Sequence, residues 1–283
     1  MALSNSLMLE HTFLHLPGVG HATERHLWRR GILTWRDALR CSGSLLKGCC
    51  PGDLIPGVQE SLSRLEAGDA YYFHLLIPSY EQWRLFRDFA DRAVCLDIET
   101  TGLSCGPGHI TMIGLCDGWE YKAFVRGKNL HQFSSEIRRY ALIITYNGRR
   151  FDLPFIQAEM GTVMEGLAHL DIMYPLRRLG YRGGLKGVEQ QTGLARPSEL
   201  QGLNGWDAVR LWHLYQEGHP GALTTLVRYN AEDVAGLLPL ATLAYNMLAL
   251  ELPLNAPLVP MPPRSMLDLP YDLELVQRLK QRR

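Results

Sequence analysis

Two carboxylates stand two residues apart in the stretch AVCLDIETTGL, which runs from 93 to 103: Asp97 and Glu99. Residues two apart on a β-strand point to the same side of the sheet. The sequence therefore predicts two adjacent anions at the end of a buried strand. Like charges at such a place raise each other's pKa unless a cation lies between them. The pair indicates a cation site.

Three more acidic residues follow at positions from which they could reach the same site. Asp152 comes just after a predicted strand, at the start of a predicted helix in TYNGRRFDLPF. Asp171 ends a short predicted strand in AHLDIMY. Tyr229 and Asp233 are four residues apart in the helical stretch VRYNAEDVAGLL, and such a pair shares one helix face.

Oxygen ligands from separate elements, without histidine or cysteine companions, suit magnesium or manganese better than zinc. Two such ions, about 3.5–4 Å apart, can hold the attacking and leaving oxygens of an in-line displacement at phosphorus. The set of acids therefore predicts metal-assisted cleavage of phosphodiesters, with two Mg²⁺ or Mn²⁺ ions as cofactors.

The stretches LDIETTGL, TYNGRRFD and YNAEDV resemble, in order, the three motifs of the DEDD 3′-5′ exonuclease superfamily. A tyrosine four residues before the last aspartate is similar to the tyrosine-type variant. Three further stretches, HLDIMYPLRR, GGLKGVEQQTG and DAVRLWHLY, resemble the YprB-like ribonuclease H-like subfamily. The likeness covers about residues 80 to 250.

This resemblance implies roles for the individual residues. Asp97, Glu99 and Asp233 would hold the catalytic metal, and Asp97 would also contact a second ion. Asp152 would help to place that second ion, directly or through water. Tyr229 would orient the attacking water, because an unperturbed phenol pKa of about 10 makes it a poor general base at neutral pH.

Candidate substrate contacts lie close to the motifs. Lys186 follows two glycines at a predicted loop-to-helix junction, where its ammonium group could meet a phosphate or remain solvated. Asp171 lies outside the four motif acids and is a candidate to support them. Asp152 alone could also be a simple helix N-cap. The other candidate contacts to the substrate are Thr100, Asn147, Arg150 and Phe151, with Tyr146 and Tyr181 nearby.

Strands alternating with helices are predicted over 80–250. Helices are expected in YEQWRLFRDFAD, LHQFSSEIRRYA and FDLPFIQAEMG, and strands in AVCLDIE, HITMIGLCDG, EYKAFV, LIITYN and LAHLDI. Early strands joined by short turns, followed by alternation with helices, predict an α/β fold with a mixed sheet flanked by helices. That order fits the ribonuclease H-like arrangement. Residues 66–79 are expected to be a connector, and 251–283 a proline-rich tail with a short helix.

A small helical segment is predicted over residues 1–65. Within it, LPGVGHATERHLWRRGI resembles a helix-hairpin-helix motif, in which a P-G-x-G turn joins two short helices. Gly18 and Gly20 permit close backbone approach, and backbone amides at a helix start can hold a phosphate. Arg25 follows the turn. The alternative is a tight glycine turn within a small helical packing module.

Composition limits the classes of protein to be considered. The 283 residues carry 29 basic and 29 acidic side chains, which argues against a generic polyanion binder but allows local clusters of arginine. We find no apolar run of the about 18–20 residues that a membrane span needs, and no signal-peptide pattern. The six cysteines form no C-x-x-C pair. We expect a cytoplasmic protein without a membrane partner.

The sequence thus predicts a metal-dependent 3′-5′ exonuclease that acts on single-stranded nucleic-acid ends. DNA is favoured over RNA because a helix-hairpin-helix resemblance usually accompanies DNA binding. Two alternatives stay open at this point. One is a structure-specific endonuclease with the same site, and the other is a non-catalytic nucleic-acid-binding module.

Overall fold

The computed structural model describes residues 7–41, 54–102, 108–194, 196–265 and 267–281. Cys49, Cys50 and Cys105, and the 42–53 part of the predicted N-terminal segment, lie outside the described residues. The other three cysteines, Cys41, Cys95 and Cys116, are free thiols.

A five-stranded sheet forms the centre of the molecule. Its strands are β1 (Ala93–Thr100), β2 (Ile110–Cys116), β3 (Tyr121–Val125), β4 (Leu142–Thr145) and β5 (Ala168–Asp171). Their spatial order is β3-β2-β1-β4-β5. The strand β2 runs antiparallel to β1 and β3, whereas β4 and β5 run parallel to β1 and to each other. This mixed sheet confirms the predicted α/β, ribonuclease H-like fold class.

Helices precede, flank and follow the sheet. The α-helices are α1 (His21–Arg29), α2 (Trp35–Arg40), α3 (Leu54–Glu66), α4 (Ala70–Leu76), α5 (Phe86–Phe89), α6 (Phe133–Ile137), α7 (Asp152–Met160), α8 (Met173–Arg178), α9 (Gly184–Gln191), α10 (Gly205–Gln216), α11 (Ala222–Ala235), α12 (Leu237–Leu250) and α13 (Leu273–Gln281). Short 3-10 helices cover Leu9–His11, Ser79–Leu85, Ala90–Arg92, Leu130–Gln132 and Thr162–Met164.

The central strand β1 separates apolar and acidic side chains onto its two faces. Val94, Leu96 and Ile98 are buried in the core that also holds residues of α6 and α7. Because side chains alternate along a strand, Asp97 and Glu99 face the other way. The helix α11 packs on β1 and β2, and its Asn230 reaches both carboxylates. The sheet therefore presents the acidic pair to α11.

The predicted helix over 80–91 is wrong in type. The chain forms the 3-10 helix Ser79–Leu85, the short helix α5 and a further 3-10 turn. The five side chains from 81 to 85 are all buried, among them the charged Glu81 and Arg84, which pair with each other at 2.8 Å. Burial on every side conflicts with the single buried face of an amphipathic α-helix.

The predicted connector over 66–79 contains the helix α4. Asp69 caps this helix by accepting a hydrogen bond from the amide of Tyr72 at 3.0 Å. Phe73 is fully buried and stacks on Trp35, with ring centroids 5.8 Å apart. Both rings belong to the same apolar core as Leu142 of the sheet. The N-terminal segment and the sheet therefore share one core.

The glycine turn near the N-terminus precedes α1. Gly18 has a left-handed φ of 74°, and Gly20 is the extended residue before the helix. The element before the turn is the 3-10 helix Leu9–His11, where a helix-hairpin-helix motif would have an α-helix. Glu24 of α1 is buried and receives the amide of Phe13 at 2.7 Å, while Arg25 is exposed. A role for this turn in nucleic-acid binding stays a prediction.

The proline-rich tail packs on the rest of the molecule. We call residues 251–272 the strap, which has no helix or strand among its described residues. Tyr245 of α12 donates to the carbonyl of Pro257 at 2.6 Å, and Asn246 exchanges two hydrogen bonds with Val259. The strap leads into α13, whose apolar face is buried. The tail is thus held along most of its length.

The helices α11 and α12 follow each other closely over Ala222–Leu250. By length and composition this stretch could cross a membrane, but 72% of its apolar window is buried inside the protein. Such burial is typical of a core helix in a globular domain. The stretch also contains Arg228, Glu232 and Asp233, which interrupt its apolar character.

We expect Phe73→Ala to lower the free energy of unfolding by about 3–5 kcal/mol, because it removes a fully buried ring. Since the core is shared, urea unfolding followed by tryptophan fluorescence and by far-UV circular dichroism should shift together in one transition. Leu75→Ala in the same helix is the control, because Leu75 is 63% exposed. Two separate transitions in the variant would contradict a shared core.

Candidate active site

Three carboxylates from two elements converge at the end of β1. One oxygen each from Asp97, Glu99 and Asp233 lies within 4.8 Å of the other two. Asp97 and Glu99 come from β1, and Asp233 comes from α11. The structure thus brings together three of the four acids for which the sequence predicts a metal-binding role.

Asn230, which no sequence pattern indicated, bridges the acids. Its Nδ2 donates to Asp97 Oδ2 at 2.9 Å and to Glu99 Oε1 at 3.3 Å, and its Oδ1 accepts from the hydroxyl of Tyr121 at 3.0 Å. Gly114 of β2 leaves room for it, since a Cβ there would overlap the amide. The sequence signal that could have identified Asn230 is its position inside the YNAED stretch, three residues before Asp233.

The fourth acid, Asp152, contacts the backbone of β1 between Asp97 and Glu99. It is 3% exposed and opens α7, but its Oδ1 accepts the amide of Ile98 at 3.1 Å. The N-cap position is held by Phe151. The alternative of a simple helix N-cap therefore does not describe Asp152, whose carboxylate ties α7 to the acidic strand.

Burial and mutual repulsion govern the charge of this cluster. Burial, followed by the charge of Asp233, raises the pKa of Asp97 and of Glu99 well above the usual carboxyl values. Burial raises the pKa of Asp152 to about 7, and the charges of Asp171 and Asp233 add to it. Without a cation these groups tend to hold protons. The oxygen-only donor set and its excess negative charge both fit divalent cations.

One buried cation contacts the cluster, and the sequence did not indicate it. Arg196 places Nη2 2.5 Å from Oδ1 of Asp233, and its side chain is 4% exposed. It stands in a stretch broken by glycine and proline, TGLARPSELQGLNGW, where no periodic pattern shows which side chains turn inward.

Tyr229 of α11 lies beside the acids and pairs with Lys186. The lysine Nζ donates to the phenol oxygen at 3.1 Å, lies 4.7 Å from the ring centroid and also donates to the carbonyl of Leu203. Burial raises the pKa of Tyr229 well above its usual value, with Asp233 the next cause. The phenol therefore keeps its proton. Because its oxygen accepts from Lys186, that proton is available to a group in the cavity.

Asp171 fixes the loop after β4 and lies outside the cluster of three acids. Its Oδ1 accepts the amides of Asn147 at 2.8 Å and Met173 at 3.1 Å, and its Oδ2 accepts the amide of Arg149 at 3.1 Å. Asn147 has a left-handed φ of 66°. This loop leads directly to Asp152, so Asp171 supports the position of that acid.

A cavity of about 470 Å³ opens beside the acids. Among the predicted substrate contacts, Thr100 and Phe151 line it, whereas Asn147, Arg150 and Lys186 do not belong to its lining. The hydroxyl of Thr100 donates to the carbonyl of Gly102 at 2.6 Å. Arg150 is exposed.

The start of α10, which no sequence pattern placed at the site, forms another wall of the cavity. Asn204, Gly205, Trp206 and Val209 line it. Asn204 and Asp207 form a reciprocal capping box that fixes this helix start. Trp206 is 62% exposed, which is unusual for so large an apolar ring. In the sequence, the signal for this helix start was the stretch NGWD, in which the capping residues Asn204 and Asp207 flank Trp206.

Residues 94–245 match the model of a family described as RNase_H superfamily. This match covers more than half of the 283-residue chain and contains all four predicted acids. The chain belongs to the RNase_H superfamily. Ribonuclease H-like nucleases act on nucleic acids with divalent metals, so membership supports nuclease activity in general. It leaves the tyrosine-type exonuclease subtype as a prediction.

The uncharacterized protein YprB of Bacillus subtilis (strain 168) is 28% identical, over 51% of this chain and 40% of its own length. The chain therefore spans about two-fifths of that relative. Among solved structures, the family B DNA polymerase of the hyperthermophilic archaeon Pyrobaculum calidifontis aligns with a TM-score of 0.42 and 19% identity, over 56% of this chain and 24% of that one.

We expect Asp152→Asn to stabilise the metal-free protein at pH 8. The folded-state pKa of Asp152, about 7, is above the usual 3.8, so its stabilising contribution exists at low pH and is lost as pH rises through 7. Asparagine removes that cost, by at most about 4 kcal/mol from the size of the shift. Its advantage should shrink as the pH falls to 5.

Thermal unfolding in EDTA from pH 5 to pH 8 measures this effect. Glu165→Gln is the control, because Glu165 is exposed and its change should give no pH-dependent difference. A variant that is less stable than the parent at pH 8, or a difference that does not change with pH, would count against repulsion in the buried site.

Proposed function

We propose that this protein is a divalent-metal-dependent 3′-5′ exonuclease that hydrolyses phosphodiester bonds at single-stranded nucleic-acid ends, with DNA favoured over RNA. The observation that carries the proposal is the convergence of Asp97, Glu99 and Asp233 within 4.8 Å. Acids at such distances repel each other unless they bind protons or cations, and phosphodiester hydrolysis is the reaction that divalent cations serve in this superfamily.

Two Mg²⁺ or Mn²⁺ ions are proposed as cofactors. Asp97, Glu99 and Asp233 would hold the first, and Asp97 with Asp152 would serve the second, directly or through water. When bound, the ions would neutralise the phosphate and lower the pKa of the attacking water. The protein contributes ligand oxygens whose positions Asn230 and the Ile98 amide already fix.

Tyr229 is proposed to orient the attacking water. Its pKa is raised by burial, so it stays a hydrogen-bond donor at neutral pH and does not act as a base. Lys186 occupies the phenol oxygen at 3.1 Å, which directs the phenolic proton away from the lysine. The function of Lys186 proposed here is therefore to set the donor direction of Tyr229, in place of the phosphate contact that its position in the sequence suggested.

The volume of the cavity favours the end of a nucleic-acid strand as its occupant. A cavity of about 470 Å³ falls within the about 300–1,000 Å³ of small-ligand pockets, which suits a terminal nucleotide better than a duplex. Trp206 and Phe151 both line it, and aromatic side chains can stack on bases of any sequence. Arg150, exposed nearby in the chain, is a candidate contact to the strand that leads into the cavity.

A time course on 5′-labelled single-stranded DNA tests the proposed reaction. With Mg²⁺ or Mn²⁺ we expect a ladder that shortens from the 3′ end, no products in EDTA, and a decrease of at least about 10³-fold in rate for Asp97→Asn, because this acid is proposed to hold both ions. Matched single-stranded RNA and double-stranded DNA rank the substrates.

The pattern of products separates the alternatives. Internal cuts would replace the exonuclease proposal by an endonuclease. Binding without metal-dependent cleavage would indicate a non-catalytic module. Cleavage by Asp97→Asn at the parent's rate would show that the assigned site is wrong.

We expect Trp206→Ala to weaken substrate binding, seen as a higher KM, more than it lowers kcat. Loss of one stacked base costs about 1–3 kcal/mol, so KM for single-stranded DNA should rise about 5- to 150-fold while kcat changes little. Trp206→Phe should retain part of the affinity. Trp119→Ala is the matched control, because Trp119 is 95% exposed and does not line this cavity. Equal effects of both alanine variants would contradict a specific contact.

A further inference from the structure

The buried guanidinium of Arg196 holds one oxygen of a predicted metal ligand. Its Nη2 lies 2.5 Å from Oδ1 of Asp233, as a close ion pair and not as an aligned hydrogen bond. Ligating carboxylates are commonly held by such partners, which leave the other oxygen to the metal and fix its direction. Arg196 is therefore placed to set the orientation of Asp233.

Arg196 is in turn held by a carboxylate outside the acidic cluster. Its Nε donates to Oε2 of Glu189 at 2.7 Å, and Glu189 is 1% exposed. The second oxygen of Glu189 accepts Nη1 of Arg264 at 3.0 Å. If this oxygen were unpaired, Glu189 could draw both Nε and Nη2 of Arg196 into a bidentate pair. Such a pair would take Arg196 away from Asp233.

Arg264 belongs to the strap, and several hydrogen bonds hold its guanidinium group in place. Its Nη2 donates to the carbonyl and Oε2 of Glu232 at 2.8 and 2.9 Å, and its Nη1 also reaches the carbonyl of Leu194 at 2.9 Å. Gly236 leaves space for the group, since a Cβ there would come 2.8 Å from Nη1. The strap thus contributes a charge to a buried network that ends at the active site.

We propose that the strap contributes to the metal site. Its Arg264 is a positioning residue that acts on Asp233 through Glu189 and Arg196. The inference rests on the proposed function, because it takes Asp233 to be a metal ligand. The charged side chains in this series of ion pairs are largely buried, so water cannot readily replace a missing partner. Loss of Arg264 should therefore alter the position of Asp233, although three successive ion pairs link the two side chains.

Mn²⁺ binding to the full chain without substrate tests the proposal, with free Mn²⁺ measured by electron paramagnetic resonance. We expect Arg196→Met to weaken Mn²⁺ binding about 10- to 100-fold, and Arg264→Met about 10-fold, the lower end for outer partners of a ligand. Arg264→Lys should restore part of the affinity and serves if the methionine variant does not fold. Arg278→Met is the control, because Arg278 forms an exposed pair with Glu274 in α13.

A double-mutant cycle separates a transmitted effect from a general loss of structure. If Arg264 acts through Arg196, then Arg264→Met should change Mn²⁺ affinity less than about twofold in the Arg196→Met background. Independent structural damage would instead give losses that multiply. Thermal unfolding of each variant confirms that the titrated protein is folded.

The outcomes distinguish this inference from the proposed function. Unchanged Mn²⁺ affinity in a folded Arg264 variant, or multiplying losses in the cycle, would overturn the role of the strap alone. Tighter binding after loss of Arg196 would also overturn it, because Arg196 would then be a competitor of the metal. Failure of the parent to bind Mn²⁺, or equal binding by Asp97→Asn, would overturn the proposed metal site itself.

Discussion

Repulsion among buried carboxylates is the constraint on which the rest of this structure depends. The alternation of β1 puts Asp97 and Glu99 on one face, and α11 adds Asp233 within 4.8 Å. Each acid is met by a partner that lowers the cost: Asn230 donates to the two strand acids, the Ile98 amide donates to Asp152, and Arg196 pairs with Asp233. Among these partners Arg196 carries a positive charge, which is fewer charges than the acids carry when they are ionised. The residual negative charge is what gives the site its affinity for divalent cations.

The helix α11 connects the chemistry to the outer parts of the molecule. Tyr229, Asn230 and Asp233 point from it toward the acidic strand, while the adjacent Glu232 receives Arg228 at 2.9 Å and Arg264 of the strap at 2.9 Å. Most of the helix is buried. One element thus carries ligands on its inner side and anchors the C-terminal tail on its outer side, so catalytic geometry and tail docking share the same backbone.

Local periodicity explains which parts were predictable. The alternation of AVCLDIE and the four-residue spacing of Tyr229 and Asp233 determine which side chains share a face within each element. The meeting of Asp233 with Asp97 and Glu99 was implied by the resemblance of the three motifs to the DEDD superfamily. Short helical segments were missed or mistyped, as at 70–76, which is only seven residues long, and at 79–85, where the side chains from 81 to 85 are all buried. Arg196 and Trp206 lie in one stretch broken by glycine and proline, whose course is set by tertiary packing that no local pattern encodes.

Crystals of the full chain soaked in MnCl₂ show whether the converging acids bind divalent cations. Anomalous scattering from manganese locates bound ions without reference to activity. We expect a peak coordinated by Asp97, Glu99 and Asp233, with a second peak between Asp97 and Asp152 if two ions bind together. Side chains that point apart in the crystal, or a cluster without anomalous density at saturating Mn²⁺, would contradict it.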